Sequence, residues 1–329
     1  MDKIDFVVLW VDGNDPEWQK VRAQYSVAEK TDRKKSDVRY RDWDLMKFWF
    51  RGVETFAPWV NHVYFVTWGH YPQWLNIDHP KLTLVRHEDF IPEEYLPTFN
   101  SAVILLNLHR IEGLSETFVM FNDDVFLTDY VSERDFFING LPCETAILGQ
   151  LSPVERGPWL HSILNNIRVI NENFNKKDVL LRHWKKFYSL KYGKYIIQNA
   201  VLGTGQWFSY FKDMHVCSSY LKSSFEKVWD IARREIEITC KNRFRSYDDV
   251  TEWLIKNWQM CSGKFIPRSY KWGKLFTLGV DNDWEDAVYK QKYKVVCLND
   301  AENLDFEKVQ KQAVAAFESI LPNKSSFEK

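Results

Sequence analysis

The stretch Phe118-Val119-Met120-Phe121-Asn122-Asp123-Asp124 is a short apolar run that ends on three consecutive oxygen-bearing side chains. An unbroken apolar run of this length, aromatic and β-branched, reads as a strand buried on both faces. Before it, Ser101 to Ile111 is apolar with helical period, and Gly113 supplies a C-cap. Leu82 to Arg86 and His62 to Thr67 read as strands, and Asp42 to Phe56 as a helix closed by Ala57-Pro58. Ile4 to Val11 is another buried strand, stopped by Asp12-Gly13-Asn14-Asp15-Pro16. There Asp15-Pro16-Glu17 has the form of an N-cap, a proline at the first helical position and an acid in the first turn. Residues 24–38 are polar without period and read as a loop. Strands alternating with helices predict an α/β fold whose core sheet is parallel.

After Asp124 the pattern changes. From Asn165 to Val201 the chain is helical and basic, with Lys176, Lys177, Arg182, Lys185, Lys186, Lys191 and Lys194 interleaved with Trp184, Phe187, Tyr188, Tyr192 and Tyr195. This is either a solvated helix face with its rings turned inward or a face that meets an anionic membrane surface or a lipid diphosphate. Ser224–Cys240 and Tyr247–Met260 read as helices. Val295–Leu298 reads as a strand opening onto Asn299-Asp300, and Asp305 to Leu321 as a closing amphipathic helix. The expected organisation is one catalytic domain over 1–329, with its core in 1–150 and 211–329 and a basic helical insertion at about 160–205.

The chain has 329 residues, 44 Lys and Arg against 45 Asp and Glu, and a net charge of -1, which gives no electrostatic reason to expect a nucleic-acid partner. No apolar run approaches the roughly 20 residues that span a bilayer, and the N-terminus lacks the features of a signal peptide. Cys143, Cys217, Cys240, Cys261 and Cys297 are scattered, without a Cys-x-x-Cys pair, so neither a zinc site nor a disulfide framework is expected. These features predict a cytoplasmic protein with reduced thiols. The 15 Trp are read first as core residues and second as platforms for sugars.

Three acidic clusters follow strands directly: Asp12 with Asp15, Asn122-Asp123-Asp124, and Asn299-Asp300. Ligands of open α/β sheets bind outside the carboxyl ends of the strands. Carboxylates and amide oxygens there suit Mg²⁺ or Mn²⁺ shared with a substrate diphosphate, and Asp123, Asp124, Asn299 and Asp300 are the candidate ligands. His215, before a helix, is a candidate base, with a structural hydrogen-bonding role as its plainer reading. Arg245, in Arg245-Ser246-Tyr247-Asp248-Asp249, offers a guanidinium fork for phosphate oxygens.

These residues belong to a wider pattern: Ile4–Asp15; Arg41-Asp42, Ala57-Pro58-Trp59-Val60, Leu96-Pro97-Thr98-Phe99-Asn100, His109-Arg110-Ile111 and Asn122-Asp123-Asp124; His215 with Arg245-Ser246 and Asp249; Cys297-Leu298-Asn299-Asp300 and the terminal Pro322–Glu328. In four blocks over nearly the whole chain, the sequence resembles the Stealth proteins, sugar-1-phosphate transferases of bacterial capsules and surface polysaccharides with an animal N-acetylglucosamine-1-phosphotransferase relative. The resemblance implies a Rossmann-like, glycosyltransferase A-type domain. It implies a nucleotide diphosphate sugar donor, taken as UDP-linked, bound with Mg²⁺, and transfer of sugar-1-phosphate to a hydroxyl of a polyprenyl-diphosphate-linked oligosaccharide at the inner membrane surface. By the same resemblance Asp124 is a metal or donor-phosphate residue, His215 and Arg245 are catalytic, and Asp12, Asn14, Asp15, Arg41, Asn100 and Asn122 line the donor site. One departure stands out: family members typically carry a Glu where this chain has Leu105. A glycosyltransferase of the same fold and a catalytically impaired carbohydrate-binding relative are the rival readings.

Overall fold

The computed structural model describes residues 3–26, 40–151, 157–301 and 304–329. Most of the loop read at 24–38 lies outside the described residues. The strands among the described residues are β1 (Ile4–Leu9), β2 (His62–Thr67), β3 (Leu82–Arg86), β4 (Thr117–Phe121), β5 (Val125–Leu127), β6 (Phe137–Ile138), β7 (Leu141–Glu144), β8 (Ser218–Leu221), β9 (Ile266–Pro267), β10 (Gly273–Thr277) and β11 (Val295–Asn299). The main sheet has the order β3-β2-β1-β4-β8, with β1 to β4 mutually parallel and β8 antiparallel to β4. The 3-2-1-4 order is that of a Rossmann-like half, so the α/β expectation holds.

Both faces of this sheet are covered. Phe6 and Val8 of β1 pack into one core with Val119 and Phe121 of β4, while Val7 packs into the other with Phe118 and Met120. The period of two thus runs through strands that are apolar at nearly every position, because each face has its own core. Helix Met46–Phe56 covers the first face and helix Ser101–Leu106 the second. A smaller sheet, β10-β11-β5, continues from β4: β5 starts one residue after Asp124 and runs antiparallel to β11. The helix read over Ser224–Cys240 is two helices, Lys222–Ile231 and Arg233–Lys241, and that read over Tyr247–Met260 begins only at Trp253.

The C-terminal Pro322–Glu328 motif closes the fold rather than the site. Arg51 grips the Glu328 carboxylate through two hydrogen bonds of 2.8 and 2.9 Å, and Leu75 bridges to Glu328 backbone to backbone. Seven tryptophans are buried: Trp10, Trp18, Trp49, Trp229, Trp258, Trp272 and Trp284. The exposed ones, Trp159, Trp184 and Trp207, all lie between the two halves of the core.

Two histidines are held neutral by the fold. His109 stacks on Phe225 at 5.7 Å, and burial, then the nearby Arg110 charge, pushes its pKa down to about 4. Burial, then His70, pushes His87 down to about 3. Unfolded, each takes a proton near pH 6.5, so the unfolded state binds more protons below that pH. Stability is therefore full above about pH 6.5 and falls as pH drops from there toward about 4, with His109 alone worth ~2 kcal/mol of loss at pH 5. His109→Phe should give a shallower fall of melting temperature between pH 7.5 and 5. An equally steep fall in the variant would contradict this assignment.

Candidate active site

The site forms where β1 and β4 end. After β1 the chain turns sharply at Asp12–Asp15. The Asp12 carboxylate accepts the Asn14 amide at 2.8 Å, Asp15 caps the following helix by accepting the Trp18 amide at 2.8 Å, and His70 accepts the Asp12 amide at 2.9 Å. Gly13 lets the chain at Tyr40 approach backbone to backbone, since a Cβ there would lie 2.0 Å from the Tyr40 carbonyl oxygen. That contact sets Arg41 and Asp42 beside the turn. Burial first, then Asp44 and Asp12, raises the Asp42 pKa.

After β4 come Asn122, Asp123 and Asp124. Asp123 reaches solvent, yet protein surrounds it on its other sides. This surrounding, then the neighbouring Asp124 charge, pushes its pKa up to about 7, with Asp42 adding to the effect. Asp124 is pinned by its carbonyl, which accepts the Leu298 amide of β11 at 2.9 Å. Its Oδ1 is buried without a hydrogen-bond partner, and burial raises the carboxyl pKa. Asp12, Asp42, Asp123 and Asp124 thus form one acidic cluster, the acidic bowl, within which Asp12 acts on Asp42 and both Asp42 and Asp124 act on Asp123.

Across this bowl stands His215. An Asp124 oxygen, a His215 ring nitrogen and Cys297 Sγ lie within 4.8 Å of one another, and among the described residues this is where His, Cys, Asp and Glu groups come close enough to share an ion. Cys297 stays a thiol, because burial and then the Asp124 charge hold its pKa well above the ordinary value. The His215 backbone sits at φ 49°, a left-handed conformation that few side chains adopt, which turns its chain back on itself. Its Nδ1 is 3.3 Å from Asp213 Oδ2, and Asp213 Oδ1 accepts from the buried Lys256 ammonium at 2.5 Å. Lys256 and the His215 bond hold Asp213 ionised, well below the usual carboxylate range, against the cost of its burial. Burial alone would lower the His215 pKa, but Asp213, followed by Asp124, raises it overall.

Arg245 is exposed and donates from Nη2 to Ser101 Oγ at 2.9 Å. The site links to it through helix Trp253–Cys261: Trp253 stands edge-on to His215 at 6.2 Å, and the neighbouring Glu252 feels the charges of both Asp213 and Arg245.

Several expectations change. Asn100 is fully buried: its Nδ2 donates to Asp249 at 2.8 Å, and its Oδ1 accepts the Ala102 amide at 3.1 Å. It fixes the Arg245 loop to the start of helix Ser101–Leu106 and has no group left for a donor. Asp300 faces Arg41, 3.6 Å away, and Trp43 Nε1, 3.3 Å away, so both side chains hold it against the Arg41–Asp44 segment. Asn299 is exposed at the end of β11. Asn14 is exposed on the turn, and Asn122 is half-buried, its carbonyl accepting the Val125 amide at 3.2 Å. The residues missed are Asp42, Asp213, Lys256 and Cys297. Asp213 carried a signal, two residues before His215, whereas Lys256 carried none.

Leu105 is a core residue, 4% exposed. Leu105→Glu should destabilise the fold by the several kcal/mol that an unpaired buried carboxylate costs, seen as a lower melting temperature, with no gain in turnover. Unchanged melting with faster turnover would instead place position 105 in the site.

The family model for Stealth protein CR2, conserved region 2, matches residues 39–143, and that for Stealth protein CR1, conserved region 1, matches residues 2–27. A capsular polysaccharide phosphotransferase WcwK of Streptococcus pneumoniae is 43% identical over 337 residues, covering 100% of this chain and 99% of that protein. The chain belongs to the Stealth family. Other relatives are the exopolysaccharide phosphotransferase cps2G of Lactiplantibacillus plantarum and the receptor polysaccharide phosphotransferase WefC of Streptococcus gordonii. The first is 43% identical over 99% of this chain and 96% of its own length, the second 42% identical over 100% and 99%. Conserved regions 1 and 2 hold the whole acidic bowl, while Asp213, His215, Arg245, Lys256 and Cys297 lie outside both matched spans. No helix among the described residues is long and apolar enough to cross a membrane.

Proposed function

We propose that this Stealth protein transfers a sugar-1-phosphate from a nucleotide diphosphate sugar to a hydroxyl of a growing surface polysaccharide, forming a phosphodiester and releasing a nucleoside monophosphate. The observation that carries this is the pairing of an acidic bowl with a His–Asp–Lys chain on its rim, in a chain whose full-length relatives are named phosphotransferases.

The bowl suits a divalent cation. Asp124 has a buried, unpartnered carboxylate oxygen beside Asp123, and Mg²⁺ or Mn²⁺ is commonly held by one or two carboxylates together with substrate phosphates. Asp123 and Asp124 are the proposed ligands. The neutral Cys297 thiol is too soft a donor for this ion. When bound, the ion neutralises charge on the diphosphate. The Asp12–Asp15 turn, whose Asp12 acts on Asp42, is the part of the bowl we assign to the donor.

His215 serves as general base. Asp213 accepts from Nδ1, which fixes the tautomer and leaves Nε2 to take the proton of the acceptor hydroxyl. Lys256 keeps Asp213 ionised and in place. The hydroxyl oxygen then attacks the sugar-bearing phosphorus, and the bond to the bridging oxygen breaks. Arg245, exposed and steadied by Ser101, offers its fork to the non-bridging oxygens. The proposed acceptor is an oligosaccharide on a polyprenyl diphosphate.

Chromatography of the nucleotide released on mixing donor and acceptor tests this reading. Nucleoside monophosphate is expected. Nucleoside diphosphate alone would mean attack at the anomeric carbon and a glycosyltransferase. No acceptor-dependent release would mean a carbohydrate-binding relative.

A further inference from the structure

The chain leaves the core after Leu148 and returns at Phe211, and these two residues bridge backbone to backbone. Between them lie helices Pro158–Asn173, Lys176–Arg182, Trp184–Phe187 and Tyr195–Gly203. The last packs Ile196 and Leu202 against the core, but it also buries polar side chains and turns apolar ones outward. Asn199 is fully buried, donating to the Ala146 and Phe187 carbonyls at 2.9 and 2.6 Å and accepting the Leu148 amide at 2.8 Å. Gln198 also turns inward, donating to the Leu148 carbonyl at 2.6 Å. Ile197 and Val201, four residues apart, face outward with 73% and 63% of their surface exposed. A helix that folds only against its own protein does the reverse.

The elements packed against this helix carry further exposed apolar residues. Leu181 and Trp184, three residues apart on adjoining helical turns, are exposed. Leu190 is 90% exposed, and Trp207 is exposed just beyond helix Tyr195–Gly203. The face is held rigid from within: Lys176 is buried and donates to the Leu202 and Trp207 carbonyls at 2.6 and 3.0 Å. The same run of helices carries the exposed Lys177, Arg182, Lys185 and Lys194. Residues 174–212 contain eight Lys and Arg and a single acid, Asp178, in a chain whose net charge is -1.

We infer that this face docks on an anionic phospholipid bilayer, with Ile197, Val201, Leu190 and the two indoles entering the headgroup boundary and the four cations meeting lipid phosphates. Charge decides between occupants. A second copy of the chain meeting this face about a two-fold axis would set like charges against each other. An anionic lipid surface complements both the apolar and the basic residues. The face rejoins the core two residues before Asp213, so docking would hold the active site close to the bilayer.

Co-sedimentation of the whole protein with vesicles tests this, comparing equal parts phosphatidylcholine and phosphatidylglycerol with phosphatidylcholine alone. Binding is expected to the anionic vesicles and to weaken in high salt. Ile197→Ser with Val201→Ser, and separately Lys177→Gln, Arg182→Gln, Lys185→Gln and Lys194→Gln combined, should each weaken it by at least ~10-fold. Val280→Ser, an exposed apolar residue elsewhere, should leave it unchanged. Melting curves check that each variant is folded. Three results would overturn the inference: no binding by the unaltered protein, binding by both variants at its full strength, or a dimer in light scattering that the Ile197/Val201 variant splits.

Discussion

Replacing His215 with alanine should lower kcat by ~10³-fold while leaving donor affinity nearly unchanged, because the proton moves only as the reaction proceeds. Asp213→Asn separates this role from a structural one. The amide keeps the shape but can no longer hold His215 Nδ1 protonated, so kcat should fall by at least ~10²-fold. The pH profile should shift as well. Asp213 raises the His215 pKa, so the acidic limb of the unaltered protein should lie above pH 6.5, with turnover growing as the imidazole loses its proton. In Asp213→Asn that limb should move to lower pH. A His215→Ala protein with normal turnover, or an Asp213→Asn profile that does not move, would leave His215 as a hydrogen-bonding residue of the fold.

Asp124→Asn carries the second large effect, a loss of ~10³-fold in turnover. The substitution removes charge without volume at a carboxylate whose Oδ1 is buried and unpartnered. It also relieves repulsion: Asp124 helps to push the Asp123 pKa up to about 7, so Asp123 should titrate closer to an ordinary carboxyl in the variant. Chelation by EDTA should abolish turnover in the unaltered protein, and Mg²⁺ or Mn²⁺ should restore it. Calorimetry with Mn²⁺ and the nucleotide should show binding that Asp124→Asn loses. Full activity in EDTA, or in the variant, would remove the metal from the account.

The parts of the fold readable in advance were those with one dominant local signal. β1 to β4 and β11 are short apolar runs closed by polar turns, and the sequence places them within two residues of where they lie. β8 was missed because Ser218-Ser219-Tyr220-Leu221 has no apolar run. It is a strand because β4 needs a partner on its open edge. Helix 224–240 breaks at Ala232 with no Gly or Pro to announce it. At the site, the acids after β1 and β4 were legible because strand ends are where sheets of this class bind ligands. Asn299-Asp300 carried the same signal, but Arg41 and Trp43 fold over Asp300, an encounter between residues more than two hundred positions apart. Lys256 was illegible for the same reason. It lies on the buried side of helix Trp253–Cys261, and only the folded chain brings it to Asp213. Asn100 misled because buried and ligand-binding amides look alike in sequence.

The most direct test of the account follows the distal phosphate of the donor. A nucleotide diphosphate sugar labelled there, incubated with the protein, a divalent cation and a glycan acceptor, should pass its label to the acceptor, and phosphorus NMR of the product should show a phosphodiester. An elongated acceptor without label, with the label retained in nucleoside diphosphate, would contradict attack at phosphorus and with it the account.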